Sequence, residues 1–179
     1  MKSILFEKNK GKWMVLGLLL LIIFFIIIVP FCLLLHELGH GLLAAFFTKS
    51  DVHIYLGLVD KENKENFRIG RLHFHIKWGY EGLAQWSGGL SKWKRAVVIA
   101  GGPIMSLLLV LLFEILAVTT HQNELSQLFL LSKKGCFIMF IMVTLPVPYF
   151  SLPHWMGGRL GSFPSDGLQL LQLLRNKNP

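Results

Sequence analysis

The sequence predicts an α-helical polytopic membrane protein, and three observations carry that reading. Of 179 residues, 53% are hydrophobic and only 16% are charged, a mix too apolar for a single soluble core to hide. The apolar residues are gathered into long tracts at 13–47, 96–118 and 135–150, with weaker apolar character running back from the third to Leu125. The basic residues stand beside these tracts: Lys8, Lys10 and Lys12 before the first, Lys92, Lys94 and Arg95 before the second, Lys133 and Lys134 before the third. That is where membrane helices meet lipid headgroups. The net charge of +8 therefore speaks for a bilayer as partner, and with no recognition motif beside it, it does not indicate nucleic acid.

The N-terminal segment MKSILFEKNKGK precedes an apolar tract as a secretory signal would. The tract is too long for that and has no convincing small-residue cleavage site, so it is expected to stay in the mature chain. Residues 13–47 would form a rod of about 50 Å against a hydrocarbon core of about 30 Å. They make either one steep or kinked helix, disturbed near Pro30, or two short passes, so the chain has three spans or four. The single helix is preferred because IIIVPFCLLL contains no polar residue to form a surface turn. Residues 96–118 are long enough to span, and 135–150 qualify with their flanks. A short apolar tract at 168–174 closes the chain. Cys32 and Cys136 both lie in apolar tracts, and two cysteines define no disulfide framework.

The stretch FCLLLHELGHGLLAAFF, residues 31–47, puts three proton-exchanging groups into an otherwise apolar run. Ionisable groups at membrane depth are costly and usually functional. His36 and His40 are four residues apart and project from one helical face, while Glu37 lies about 100° round and still reaches the same centre. This H-E-x-x-H spacing suits a zinc ion held by two imidazoles with a carboxylate beside it. Gly39, Gly41, Ala44 and Ala45 let another segment approach closely. A catalytic zinc takes a third protein ligand. The extended soluble motif, with a histidine six residues after His40, is excluded because Phe46 stands there. Glu114, His121, Glu124, His154 and Asp166 remain as candidates. Glu114 interrupts LLVLLFEILAV, Asp166 opens the last apolar tract, and His154 reads as an interfacial residue beside Trp155.

With three motifs in order, HELGHGLLAA at 36–45, AGGPIMSLLLVLL at 100–112 and LPVPYF…SDGLQLL between 145 and 171, the chain resembles the site-2 protease family of intramembrane zinc metalloproteases. The resemblance spans nearly the whole hydrophobic skeleton. It implies a single domain over 1–179 with a three-helix transmembrane core, and one zinc ion per chain held by His36, His40 and Asp166. Glu37 would be the catalytic carboxylate. The implied activity is a zinc-dependent endopeptidase cutting in or near transmembrane segments of membrane-anchored substrates, in a multi-pass protein of the cell membrane.

The resemblance also implies a membrane-associated β-hairpin between the first two helices. The sequence allows one over 51–79: DVHIYLGL and FRIGRLHFHIKW are β-branched and aromatic, and the polar run VDKENKEN separates them. An exposed edge strand there would hold an unfolded substrate by main-chain pairing. His73 and His75 fall on one face of the second strand and are expected to meet solvent or the interface, with an accessory metal role as the lesser alternative.

The chain departs from the family pattern at three places. Ser106 stands where an asparagine is common, Val143 and Thr144 replace another, and the interval from Pro148 to Asp166 is longer than usual. Gly157, Gly158 and Gly161 suggest that this interval is a flexible loop returning the chain to the membrane. Two other readings accompany the protease. One is a degenerate relative acting as a membrane peptide-binding or accessory protein. The other is a membrane zincin of the prenyl-protein protease kind, with a glutamate such as Glu114 as third ligand.

Overall fold

The computed structural model describes residues 15–59, 62–120, 124–146, 148–150 and 162–175. The basic N-terminal segment, His121, His154 and the glycines of 157–161 lie outside the described residues. Among the described residues three helices are long and apolar enough to cross a membrane: α1 (Val15–Phe47), α2 (Lys92–Thr119) and α3 (Glu124–Thr144). A short α4 (Asp166–Arg175) ends the described chain. Large apolar side chains such as Phe46, Ile115 and Val118 face outward from the helices, as lipid contact requires.

The first tract is one helix, and its regularity fails just before the proline. Residues Phe24–Ile28 form a π-helical turn in which the Val29 N–H bonds the Phe24 carbonyl. Pro30 has no N–H, so the Ile26 carbonyl loses its α-helical partner; diversion of the Val29 N–H deprives the Phe25 carbonyl of its own. Both are supplied from the segment before the last strand of the sheet. Trp78 Nε1 donates to the Ile26 carbonyl at 3.3 Å, and the Tyr80 hydroxyl donates to the Phe25 carbonyl at 3.1 Å. Two residues after Pro30, Cys32 meets Cys136 of α3 as a free thiol pair, sulfur to sulfur 3.0 Å, in a core shared with Leu109 and Phe113 of α2.

Between α1 and α2 the chain builds a four-stranded sheet rather than a simple hairpin. Its strands are β1 (Val52–Leu56), β2 (Phe67–Ile69), β3 (Leu72–Ile76) and β4 (Gly82–Trp86), in the order β2-β3-β1-β4. The expected antiparallel pairing of 51–58 with 67–78 is replaced by a parallel one, Val52 opposite Leu72 and Leu56 opposite Ile76. Gly70 is the reason. Its φ of 59° gives the left-handed position that a tight turn needs, so FRIGRLHF closes on itself as the β2–β3 hairpin. The polar run 59–66 then carries the chain out to the sheet edge. β4 pairs antiparallel with the other side of β1.

Strand alternation sorts the sheet into two faces. Val52, Ile54 and Phe74 are buried against Ala44 of α1 and Val98 of α2. His53, Tyr55, His73 and His75 project from the opposite face.

The third helix spans 124–144 rather than 135–150. Pro146 and Pro148 lack amide donors and disfavour helical conformation in the residues before them, so the helix stops at Thr144. Residues Pro148–Phe150 instead form β5, paired antiparallel with β6 (Ser162–Pro164), with Pro148 opposite Pro164. The long interval before Asp166 is thus an excursion whose two ends are tied together, which returns the chain to the end of α3.

Candidate metal centre and its neighbouring carboxylate

The site starts at the seam between α1 and α2, where glycines replace side chains. A Cβ on Gly39 would lie 2.8 Å from the Met105 Cβ and closer still to the Gly101 carbonyl. One on Gly102 would lie 2.6 Å from His36 Nε2 and run into the His40 ring. The AGGP stretch is therefore a notch in α2 that receives the two imidazoles of α1. His36 and His40 are buried there, edge to face, with ring centroids 4.9 Å apart.

Helix α2 also orients both rings. His36 Nδ1 is 2.8 Å from the hydroxyl of Ser106, which is fully buried, and His40 Nδ1 is 2.8 Å from the Val98 carbonyl. A carbonyl only accepts, so His40 Nδ1 carries a proton, which in the neutral ring leaves the lone pair on Nε2. The Gly102 amide also approaches this Nδ1, at 3.3 Å, and the shorter carbonyl contact decides the tautomer. Ser106, at a position where the resemblance expects an asparagine, thus has a partner of its own. Thr144 does not reach the site, since its hydroxyl donates to Phe140 within α3.

Asp166 joins the histidines from the first residue of α4. Its Oδ2 is 3.1 Å from His36 Nε2 and 3.3 Å from His40 Nε2. The ligand atoms of the three residues all lie within 4.8 Å of one another. The flanking residues explain the aim. Ser165 caps α4, its Oγ accepting from the Leu168 amide at 3.1 Å, while its hydroxyl donates to the Leu145 carbonyl at the end of α3. Gly167 packs against the Thr144 carbonyl, where a Cβ would collide. Each residue of Ser-Asp-Gly thereby has a distinct role in docking α4.

The donor set fits a metal ion on a specific ground. Asp166 Oδ2 is buried and lacks a hydrogen-bond donor among the described residues, although two imidazole nitrogens face it. Each nitrogen can face this oxygen only with a proton or a metal ion between them, and in a neutral His40 ring, with its proton on Nδ1, the metal ion is what fits. Two imidazoles and a carboxylate match the open three-ligand set of catalytic zinc.

Glu37 lies beside this cluster, buried under the sheet. Its carboxylate packs on Gly82 of β4, where a Cβ would stand 2.6 Å from Oε1, and the Ala84 backbone hydrogen-bonds it. The contact with β4 is absent from the sequence reading, because Gly-Leu-Ala-Gln-Trp has little strand signature beyond its alternation.

Of the other third-ligand candidates, Glu114 is turned away and pairs with Lys133 of α3. His121, His154 and the side chain of Glu124 lie outside the described residues. Comparison with protein-family models, with curated proteins and with solved structures finds no match for this chain.

Proposed function

We propose that the protein is a zinc-dependent intramembrane endopeptidase of the site-2 protease type. In this reading it is a multi-pass protein of the cell membrane that cuts peptide bonds in or near transmembrane segments. The observation that carries the proposal is the convergence of His36, His40 and Asp166 from two separate helices, with Glu37 beside them. A binding protein needs no buried carboxylate next to a metal cage.

His36, His40 and Asp166 would hold the zinc ion, which when bound supplies Lewis acidity toward a peptide carbonyl and makes water acidic. Glu37 accepts a proton from the attacking water and delivers it to the leaving amide nitrogen. Val98 and Ser106 hold the imidazoles in orientation. His36, Glu37 and His40 are buried, so their charges act at a lower dielectric than in bulk water.

Substrate enters along β4. This strand is at the edge of the sheet and its backbone lies against Glu37. An extended peptide added to that edge passes the carboxylate with its main chain fixed by ladder hydrogen bonds. A substrate helix must first unwind, which is easiest near glycine or proline.

The test is zinc content and cleavage of a single-span membrane substrate by the purified protein, compared with Glu37→Gln and Asp166→Asn. Retained zinc with abolished cleavage in the first variant, and weakened zinc in the second, is the expected pattern. Equal turnover in wild type and Glu37→Gln overturns the mechanism.

A further inference from the structure

We propose that the outer face of the sheet carries a second metal site, in which His53, His73 and His75, with Asp51, take a divalent transition-metal ion of the zinc class. This inference does not depend on the protease reading. Parallel pairing sets His53 opposite His73 and Tyr55 opposite His75, so period-two alternation brings three imidazoles to one face. The His53 ring is 4.8 Å from that of His73 and 5.3 Å from that of His75, centroid to centroid. Nothing in the fold asks for histidine here, since Val52, Ile54 and Phe74 on the opposite face supply the packing.

The hydrogen bonds assign the lone pairs. His75 Nδ1 is 3.1 Å from the Asn63 carbonyl, which can only accept, so Nδ1 carries the proton and Nε2 is bare. His73 Nδ1 is 2.8 Å from Glu65 Oε2, so Nδ1 carries a proton, which in the neutral ring leaves Nε2 bare, 3.7 Å from Asp51 Oδ1. Imidazoles that ligate metals characteristically give their second nitrogen to a carboxylate or a backbone carbonyl, and both partners are present here. The His75 Nε2 faces His53 Nδ1 at 3.0 Å, a separation now bridged by one proton.

The ordinary alternative is a histidine stack held by that proton, with His75 buried rather than meeting solvent. Two features exceed what a stack needs: the fixed tautomers of His73 and His75, and the carboxylate of Asp51 beside the bare His73 nitrogen. Among the described residues only the helix cluster has all its ligand atoms within 4.8 Å of one another. On the sheet, capture of an ion therefore turns the His73 ring out of its stack on His53. The bridging proton leaves His53 Nδ1 for solvent while Nε2 takes one up, which keeps the ring neutral. Imidazole ligands favour Zn²⁺, Co²⁺, Ni²⁺ and Cu²⁺ over Mg²⁺ and Ca²⁺.

The experiment loads the full-length, chelator-stripped protein in nanodiscs with Zn²⁺ and counts bound ions per chain by elemental analysis. The His36→Gln/His40→Gln double variant is expected to keep one ion and to lose it when His75→Gln is added. Failure of the double variant to keep any ion overturns the sheet site, as does an ion that survives addition of both His53→Gln and His75→Gln. Because variants can misfold, the unaltered protein provides the second reading. Zn²⁺ should slow modification of His53 and His73 by a histidine-directed acylating reagent, and unchanged rates refute the site. Failure of the protease reading would appear separately, as zinc at the helices without Glu37-dependent cleavage.

Discussion

The histidines of α1 and those of the sheet gather by different geometries. On α1, a four-residue spacing places His36 and His40 one turn apart, and the cluster closes only when α2 and α4 arrive with a glycine notch and a carboxylate. On the sheet, a two-residue spacing and one strand pairing assemble His53, His73 and His75 directly. The helix cluster is enclosed and its rings are held by α2, whereas the sheet cluster is partly open and its His73 ring is held by a stack on His53 and by Glu65. Enclosure demands agreement among distant parts of the chain; register demands agreement between two neighbouring strands.

The largest effect should come from Glu37, the buried carboxylate beside the helix cluster and its base in the proposed reading. Glu37→Gln is expected to lower cleavage by about 10²–10⁴-fold with metal content unchanged. Parallel loss of metal and cleavage would mean that Glu37 builds the cage rather than serving it. Next is Gly102→Ala, which puts a methyl group into both imidazoles and should cost about 1–3 kcal/mol by overpacking. Zinc binding at the helices should be lost while amide exchange in β1 and β3 stays as in wild type. Wild-type affinity in this variant would remove the notch from the account.

A smaller change is expected from Ser106→Ala, which frees the His36 ring on its outer side. Zinc affinity, measured by competition with a chelator, should weaken by about 10–100-fold. No weakening would show that packing alone orients His36. The smallest effect is that of Trp78→Phe, which removes the indole donor to the Ile26 carbonyl and should cost about 1 kcal/mol in denaturant unfolding. A loss several times larger would mean that the sheet and α1 hold together chiefly through this contact.

The contrast also explains what could be read from the sequence. His36, Glu37 and His40 are legible because their relation is local and set by helical period. Asp166 was available only as one of five candidates, or through family resemblance, since its approach depends on the β5–β6 ladder and on Ser165 and Gly167 docking against the end of α3. Spacing encodes none of that. The sheet is legible as strands but not as topology: the polar run 59–66 competes with Gly70 as the turn signal, and parallel pairing leaves no local mark. β4 is harder still, because a short strand with Gly82 and Ala84 owes its existence to the edge of β1. The end of the third helix is the opposite case, since Pro146 and Pro148 state it outright.

The π-helical turn in α1 bears on how the protein comes into being. The Phe25 and Ile26 carbonyls lie about 15 Å into the apolar helix, and their donors follow 55 and 52 residues later. When α1 first leaves the ribosome neither Tyr80 nor Trp78 exists. Until the sheet is made these carbonyls have neither their α-helical donors nor the side-chain ones, and each would be costly to bury in an apolar surrounding. The helix that carries the histidines is thus completed only by residues that follow it in the chain.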